Sequence, residues 1–160
     1  MQAKETRQMT NMAQEYAETI RDEIESWEKI HDAWGQSGQD PETVLEYLAD
    51  DPDALRELED AGGVSELENF GGVSSLYTEL HALDAWLTVK KRYNGRETVE
   101  SVTILRTCGG PNCEIVAHES GGIEILAYWG GDTGRVRTAS EMIEEAAELA
   151  TEAISYGVNA

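Results

Sequence analysis

Lysine is scarce in this 160-residue chain: only Lys4, Lys29, Lys90 and Lys91 occur, and all 12 basic residues together face 32 acidic ones, leaving a net charge of −20. A field of that sign repels nucleic acid, anionic membranes and nucleotide phosphates, and it attracts basic protein surfaces. The one basic cluster, Lys90, Lys91, Arg92 and Arg96, falls on a strand-like stretch whose side chains alternate between faces, so it forms no continuous stripe for a phosphate backbone. Cysteine is nearly absent too. Cys108 and Cys113 are too few for the disulfide framework of a small secreted domain. No run approaches the roughly 18 apolar residues of a membrane span. The opening Met1 to Gln8 has no apolar signal-peptide core, so a cytoplasmic location is expected.

What is present is one ordinary core's worth of apolar residues, 40% of the chain, patterned first as helix and then as strand. Met9, Met12, Ala13, Tyr16, Ile20, Ile24, Trp27 and Trp34 recur at spacings of mostly three and four, predicting a long amphipathic helix from Glu5 to Trp34 that Gly35 and the Gly38-Gln39-Asp40 segment end. Asp40-Pro41 and Asp51-Pro52 announce two short helices, Pro being suited to the first helical position. Gly62-Gly63 and Gly71-Gly72 punctuate further helical turns at 64–70 and 73–83. After Asp84 the period shortens. Strands are expected at Trp86–Tyr93, Thr98–Thr107, Cys113–Ala117 and Ile123–Trp129, the first two joined by an Asn94-Gly95 hairpin turn. Thr138 and Glu141 have the spacing of a capping box for a last helix reaching about Tyr156. The expected fold is α+β: a helical N-terminal half, a four-stranded antiparallel β meander, and a C-terminal helix packed on the sheet. An acidic helical region, 1–72, would adjoin an α+β core, 73–160, in one compact unit.

Little in the sequence asks for catalysis. Cys108 and Cys113 flank a four-residue turn and would face each other in a regular hairpin, but a metal site needs two further ligands. His118 falls on the opposite strand face from Cys113, and His31 and His81 sit on helices with no ligand spacing evident around them. Neither cysteine has an adjacent base, and acidic surroundings disfavour the thiolate. Gly109-Gly110 and Gly130-Gly131 lack the lysine of a phosphate loop and read as turns. Asp132, beside Trp129, has no second carboxylate for acid–base work. No catalytic residue, metal or cofactor is therefore expected. Trp27, Trp34, Trp86 and Trp129 read as core anchors, while the seven-residue spacing of Trp27 and Trp34 suits a homodimer seam equally.

Two segments are distinctive: Ile104-Leu105-Arg106-Thr107-Cys108-Gly109-Gly110-Pro111-Asn112-Cys113-Glu114-Ile115 and Ala127-Tyr128-Trp129-Gly130-Gly131-Asp132. Together they resemble the β core of small acidic phage, plasmid and archaeal proteins, in which a strand, a Gly-Gly-Pro turn, a second strand and a Tyr-Trp-Gly-Gly-Asp turn recur. The resemblance spans residues 85–138 and leaves the acidic N-terminal half outside. It implies a viral or mobile-element context of anti-defence type, anti-CRISPR or anti-restriction, hence a host-cell cytoplasm, and it implies no mechanism.

The acidity is patterned. Residues 1–70 hold 19 acidic and 5 basic residues, against 13 and 7 in residues 71–160. Glu15, Glu18, Asp22, Glu25 and Asp32 share one arc of the first helix, and Glu141, Glu145, Glu148 and Glu152 repeat the device on the last. Like charges three or four residues apart cost a few tenths of a kcal/mol per pair. Two explanations of that cost compete. The carboxylates imitate a row of phosphates and occupy the basic site of a nucleic-acid-binding protein, a CRISPR effector or restriction enzyme, as a non-catalytic inhibitor. Alternatively, the chain is a halophile-adapted structural or regulatory domain, whose acidity would cover every surface.

Overall fold

The computed structural model describes residues 11–91, 97–107 and 111–159. Its elements run α1 (Met12–Gln36), α2 (Pro41–Tyr47), α3 (Pro52–Asp60), α4 (Ser65–Asn69), α5 (Val73–His81), β1 (Asp84–Lys91), β2 (Glu97–Thr107), β3 (Asn112–His118), β4 (Ile123–Trp129), β5 (Asp132–Thr138) and α6 (Glu141–Asn159). The class is α+β, with the helical N-terminal region, antiparallel sheet and sheet-packed final helix expected from the sequence. The Asn94-Gly95 turn, the Gly109-Gly110 turn, Cys108 and the Arg92 and Arg96 part of the basic cluster lie outside the described residues.

The sheet has five strands in the order β1-β2-β3-β4-β5, not four. The strand missed is β5. Gly130 and Gly131, at φ 56° and 91°, supply the positive dihedrals of a two-residue hairpin, so Trp129 pairs directly with Asp132. Sequence pattern hid β5 because its third residue, Gly134, is a glycine. A Cβ at Gly134 would lie 2.5 Å from the backbone of Ala13 and Gln14, so α1 crosses the strand at a distance only glycine permits. The same crossing closes the sheet edge. Arg135 N donates to Gln14 Oε1 (2.9 Å), Gln14 Nε2 donates to Arg135 O (3.1 Å), and Asn11 Nδ2 donates to Thr133 O (2.6 Å), so side chains stand where a sixth strand would pair.

Ala13, Ala17, Ile20, Ile24, Trp27 and Ile30 form the buried stripe of α1. They share one continuous core with Ile104, Ile115, Ile125 and Val136 from the sheet and Met142, Ile143 and Ala146 from α6, and this core runs across the 72/73 boundary. Trp27 is fully buried and Trp34 nearly so, which leaves neither for a dimer seam; Trp86 and Trp129 are over a third exposed and anchor no core. α1 ends at Gln36 with Ser37 as its C-cap, and the chain turns out of the helix through Gly38 and Gln39 at φ 68° and 64°, within the segment expected to end it. Both Asp-Pro pairs do open helices with Pro in the first turn, although neither Asp side chain caps its own helix.

The capping box at Thr138 and Glu141 is replaced by a long-range arrangement. Ser140 Oγ accepts from Ile143 N (3.1 Å) and donates to Glu28 Oε2 (2.6 Å). Glu28 itself accepts the Glu141 and Met142 backbone N–H groups, both at 3.1 Å. A carboxylate from α1 thus satisfies the orphan donors of α6, where the helix dipole favours negative charge.

Candidate functional site

Charge in this fold is segregated by layer. The six helices carry 21 acidic and three basic residues, whereas the five strands carry six and five. The helical layer accordingly forms an extended acidic face, and the strands are almost neutral.

On α1, Glu15, Asp22, Glu25 and Asp32 are exposed and Glu18 is half-buried. At 1.5 Å per residue the ridge from Glu15 to Asp32 spans about 26 Å. Arg21 tempers its middle, 3.4 Å from Asp22 and 3.9 Å from Glu25, and Lys29 pairs across to Asp51 on the loop before α3 at 2.9 Å. That hydrogen bond to Asp51, and then the charge of Asp51, raise the Lys29 pKa. A groove of about 380 Å³ between α1 and α3, lined by Asp22, Glu23, Glu25, Asp53, Arg56 and Glu57, continues the ridge sideways. On α6, Glu141, Glu145, Glu148 and Glu152 are all exposed. Glu145 is nonetheless engaged, 3.1 Å from His31 Nε2 and 3.0 Å from Ser74 Oγ. The two stripes converge where α1 meets the start of α6, with donor atoms of Asp32 and Glu141 within 4.8 Å.

A partly buried ionisable cluster was not anticipated. Arg106, on the core side of β2, reaches both carboxylate oxygens of Glu23 on α1 through Nη2, at 3.1 and 2.9 Å. His81 Nε2 lies 3.7 Å from the same carboxylate, and the rings of Tyr77 and His81 are 4.9 Å apart. Trp27 Nε1 donates to Glu57 Oε2 at 3.3 Å. Burial, and then the charge of Glu23, raises the Glu57 pKa; burial lowers that of His81. Glu23 could have been noticed because it lies three residues after Ile20 and four before Trp27, on the apolar stripe of α1, but only the fold supplies its partner from residue 106.

Cys113 faces this cluster and is fully buried, and that burial pushes its thiol up to about 12, which disfavours the nucleophilic thiolate. His118 is on the other sheet face, 3.1 Å from the buried Glu124, which Arg135 Nε also reaches at 2.9 Å. Asp132 is exposed at the β4–β5 turn. His31, read as isolated, has Glu28 and Asp32 three residues before and one after it, and Glu28, His31, Asp32 and Glu141 each place a potential ligand atom within 4.8 Å of the others. The Glu-x-x-His-Asp spacing was a usable signal; Glu141 was not, because it arrives from 110 residues away.

Fold and surface together define a helix-covered antiparallel sheet with a polyanionic helical layer. No family model, no curated protein and no solved structure matches the chain. Among the described residues no helix is long and apolar enough to cross a membrane.

Proposed function

We propose that this protein is a non-catalytic inhibitor whose acidic helical face occupies the basic nucleic-acid site of a host effector, a CRISPR complex or a restriction enzyme. The observation that carries the reading is the layer segregation of charge: 21 acidic against three basic residues on the helices, with near balance on the strands. Adaptation to salt alone has no reason to spare one layer. A polyanionic ridge about 26 Å long on a rigid helix presents carboxylates at regular intervals to a groove built for phosphates, and complementarity of this kind accelerates encounter as well as strengthening contact. Glu15, Glu18, Asp22, Glu25 and Asp32 form the leading contact set; Glu141, Glu148 and Glu152 extend it, and Glu145 serves chiefly within the fold.

The test is displacement of labelled duplex DNA from a purified CRISPR surveillance complex and from a restriction endonuclease, across a salt series. Displacement should weaken steeply with salt and be lost on combining Glu15→Lys, Asp22→Lys and Glu25→Lys. The reading fails if neither effector releases DNA, or if polyglutamate of equal charge competes as well. Unfolding of the chain below molar salt would instead favour the halophilic domain.

A further inference from the structure

The convergence point of α1 and α6 has the chemistry of a metal centre. Glu28, His31 and Asp32 occupy positions i, i+3 and i+4 of α1, so all three project from one side of the helix, and Glu141 opens α6 beside them. One donor atom from each residue lies within 4.8 Å of all the others. Donors bound at about 2.0–2.2 Å from a common ion stand no more than about 4.4 Å apart, so closing the set on a cation takes only small side-chain movements.

The histidine is prepared for the role. The His31 side chain is 17% exposed, and Nε2 lies 3.1 Å from Glu145 Oε2. With the ring proton on Nε2, facing that carboxylate, Nδ1 would present a bare lone pair. Nδ1 is buried and has no hydrogen-bond partner, its nearest charged neighbour being Asp32 Oδ1 at 3.8 Å. A buried acceptor left unmatched costs free energy that an electrophile would recover. Ligating histidines regularly hold their second ring nitrogen on a carboxylate in this way. Glu28 is oriented as firmly, by Ser140 Oγ at 2.6 Å and by the Glu141 and Met142 N–H groups at 3.1 Å, and its Oε1 accepts only one of those three bonds. Two donors are thus pre-set, and two, Asp32 and Glu141, are exposed and free to adjust.

We propose that Glu28, His31, Asp32 and Glu141 bind a first-row divalent transition ion, Zn²⁺ or Mn²⁺, with Glu145 as the positioning residue for His31. Three carboxylates and a neutral imidazole overcompensate a double positive charge, and the imidazole selects a transition ion over Ca²⁺ or Mg²⁺. The ion would tie α1 to the start of α6 and neutralise the point where the acidic stripes meet.

The experiment is calorimetric titration of EDTA-treated full-length protein with Zn²⁺, Mn²⁺ and Ca²⁺ in 150 mM salt, alongside thermal melts and ¹⁵N-resolved spectra of the histidine rings. One Zn²⁺ or Mn²⁺ per chain is expected, with a raised Tm and a shift confined to His31 Nδ1. His31→Ala should weaken binding by about tenfold or more, and Glu145→Gln by about 10- to 100-fold. Asp32→Asn and Glu141→Gln, on exposed side chains, keep the test decisive if His31→Ala fails to fold, and each should weaken binding while the remote Glu68→Gln does not. Equal weakening by Glu68→Gln, no change in the His31 resonances, or Ca²⁺ binding as tightly as Zn²⁺ would reduce the effect to diffuse counter-ion attraction and overturn the proposal.

Discussion

Gly134→Ala is expected to unseat α1 from the edge of the sheet. The added Cβ would meet Ala13 C, Ala13 O and Gln14 Cα, each at 2.5 Å, where ordinary contact begins at 3.4 Å. All three are backbone atoms, so no side chain can rotate away, and helix and strand must separate by about 1 Å in a close-packed interior. Overpacking of this kind costs about 1–3 kcal/mol. The separation also strains the two Gln14–Arg135 hydrogen bonds, at 2.9 and 3.1 Å, each worth about 1 kcal/mol net. A loss of about 3–5 kcal/mol follows, which lowers Tm by about 10–15 °C for a chain of this length. Urea unfolding monitored by circular dichroism gives the stability change, and hydrogen exchange at the Arg135 amide shows whether the edge has opened. Gly130→Ala is the control: with φ at 56° and open space around it, it should cost only about 1 kcal/mol. If Gly134→Ala loses no more than Gly130→Ala and Arg135 stays protected, the close crossing does not exist as described.

The partly buried Glu23–Arg106 pair should behave asymmetrically: Arg106→Met alone should cost about 2–3 kcal/mol by stranding the Glu23 carboxylate, and the double change Glu23→Leu with Arg106→Met should recover most of that loss, as denaturant titrations of both variants would show. The pH dependence centres on Glu57, whose folded pKa is raised above the ordinary 4.5. The native state therefore holds its proton more tightly than the unfolded chain does, so this group's contribution is fully present below 4.5 and is lost as pH rises through the folded value. Glu57→Gln should flatten that portion of the stability–pH profile while keeping an acceptor for Trp27 Nε1; an unchanged profile would show that the carboxylate is solvated.

Much of this molecule follows from local chemistry. The three-and-four spacing from Ala13 to Trp34 specifies α1 and its buried stripe because a helix repeats every 3.6 residues whatever lies beyond it. Asp40-Pro41 and Asp51-Pro52 start helices for reasons contained in the proline ring. The acidic arcs of α1 and α6 are equally local, since a spacing of three or four residues puts side chains on one face in any context.

What needed the tertiary structure is whatever depends on two distant segments meeting. β5 is a strand because β4 pairs with it and α1 tolerates only glycine at position 134, and neither fact is visible in Asp132-Thr133-Gly134. Ser140 caps α6 together with Glu28, 112 residues away, where local spacing had pointed to Thr138 and Glu141. Glu23 is an ordinary surface acid until Arg106 arrives from the sheet, and His31 an isolated histidine until Glu145 and Glu141 close on it. The length and composition of the chain determined that it would be acidic; only folding, by placing helices over one layer and strands in another, decided that the acidity would form a face.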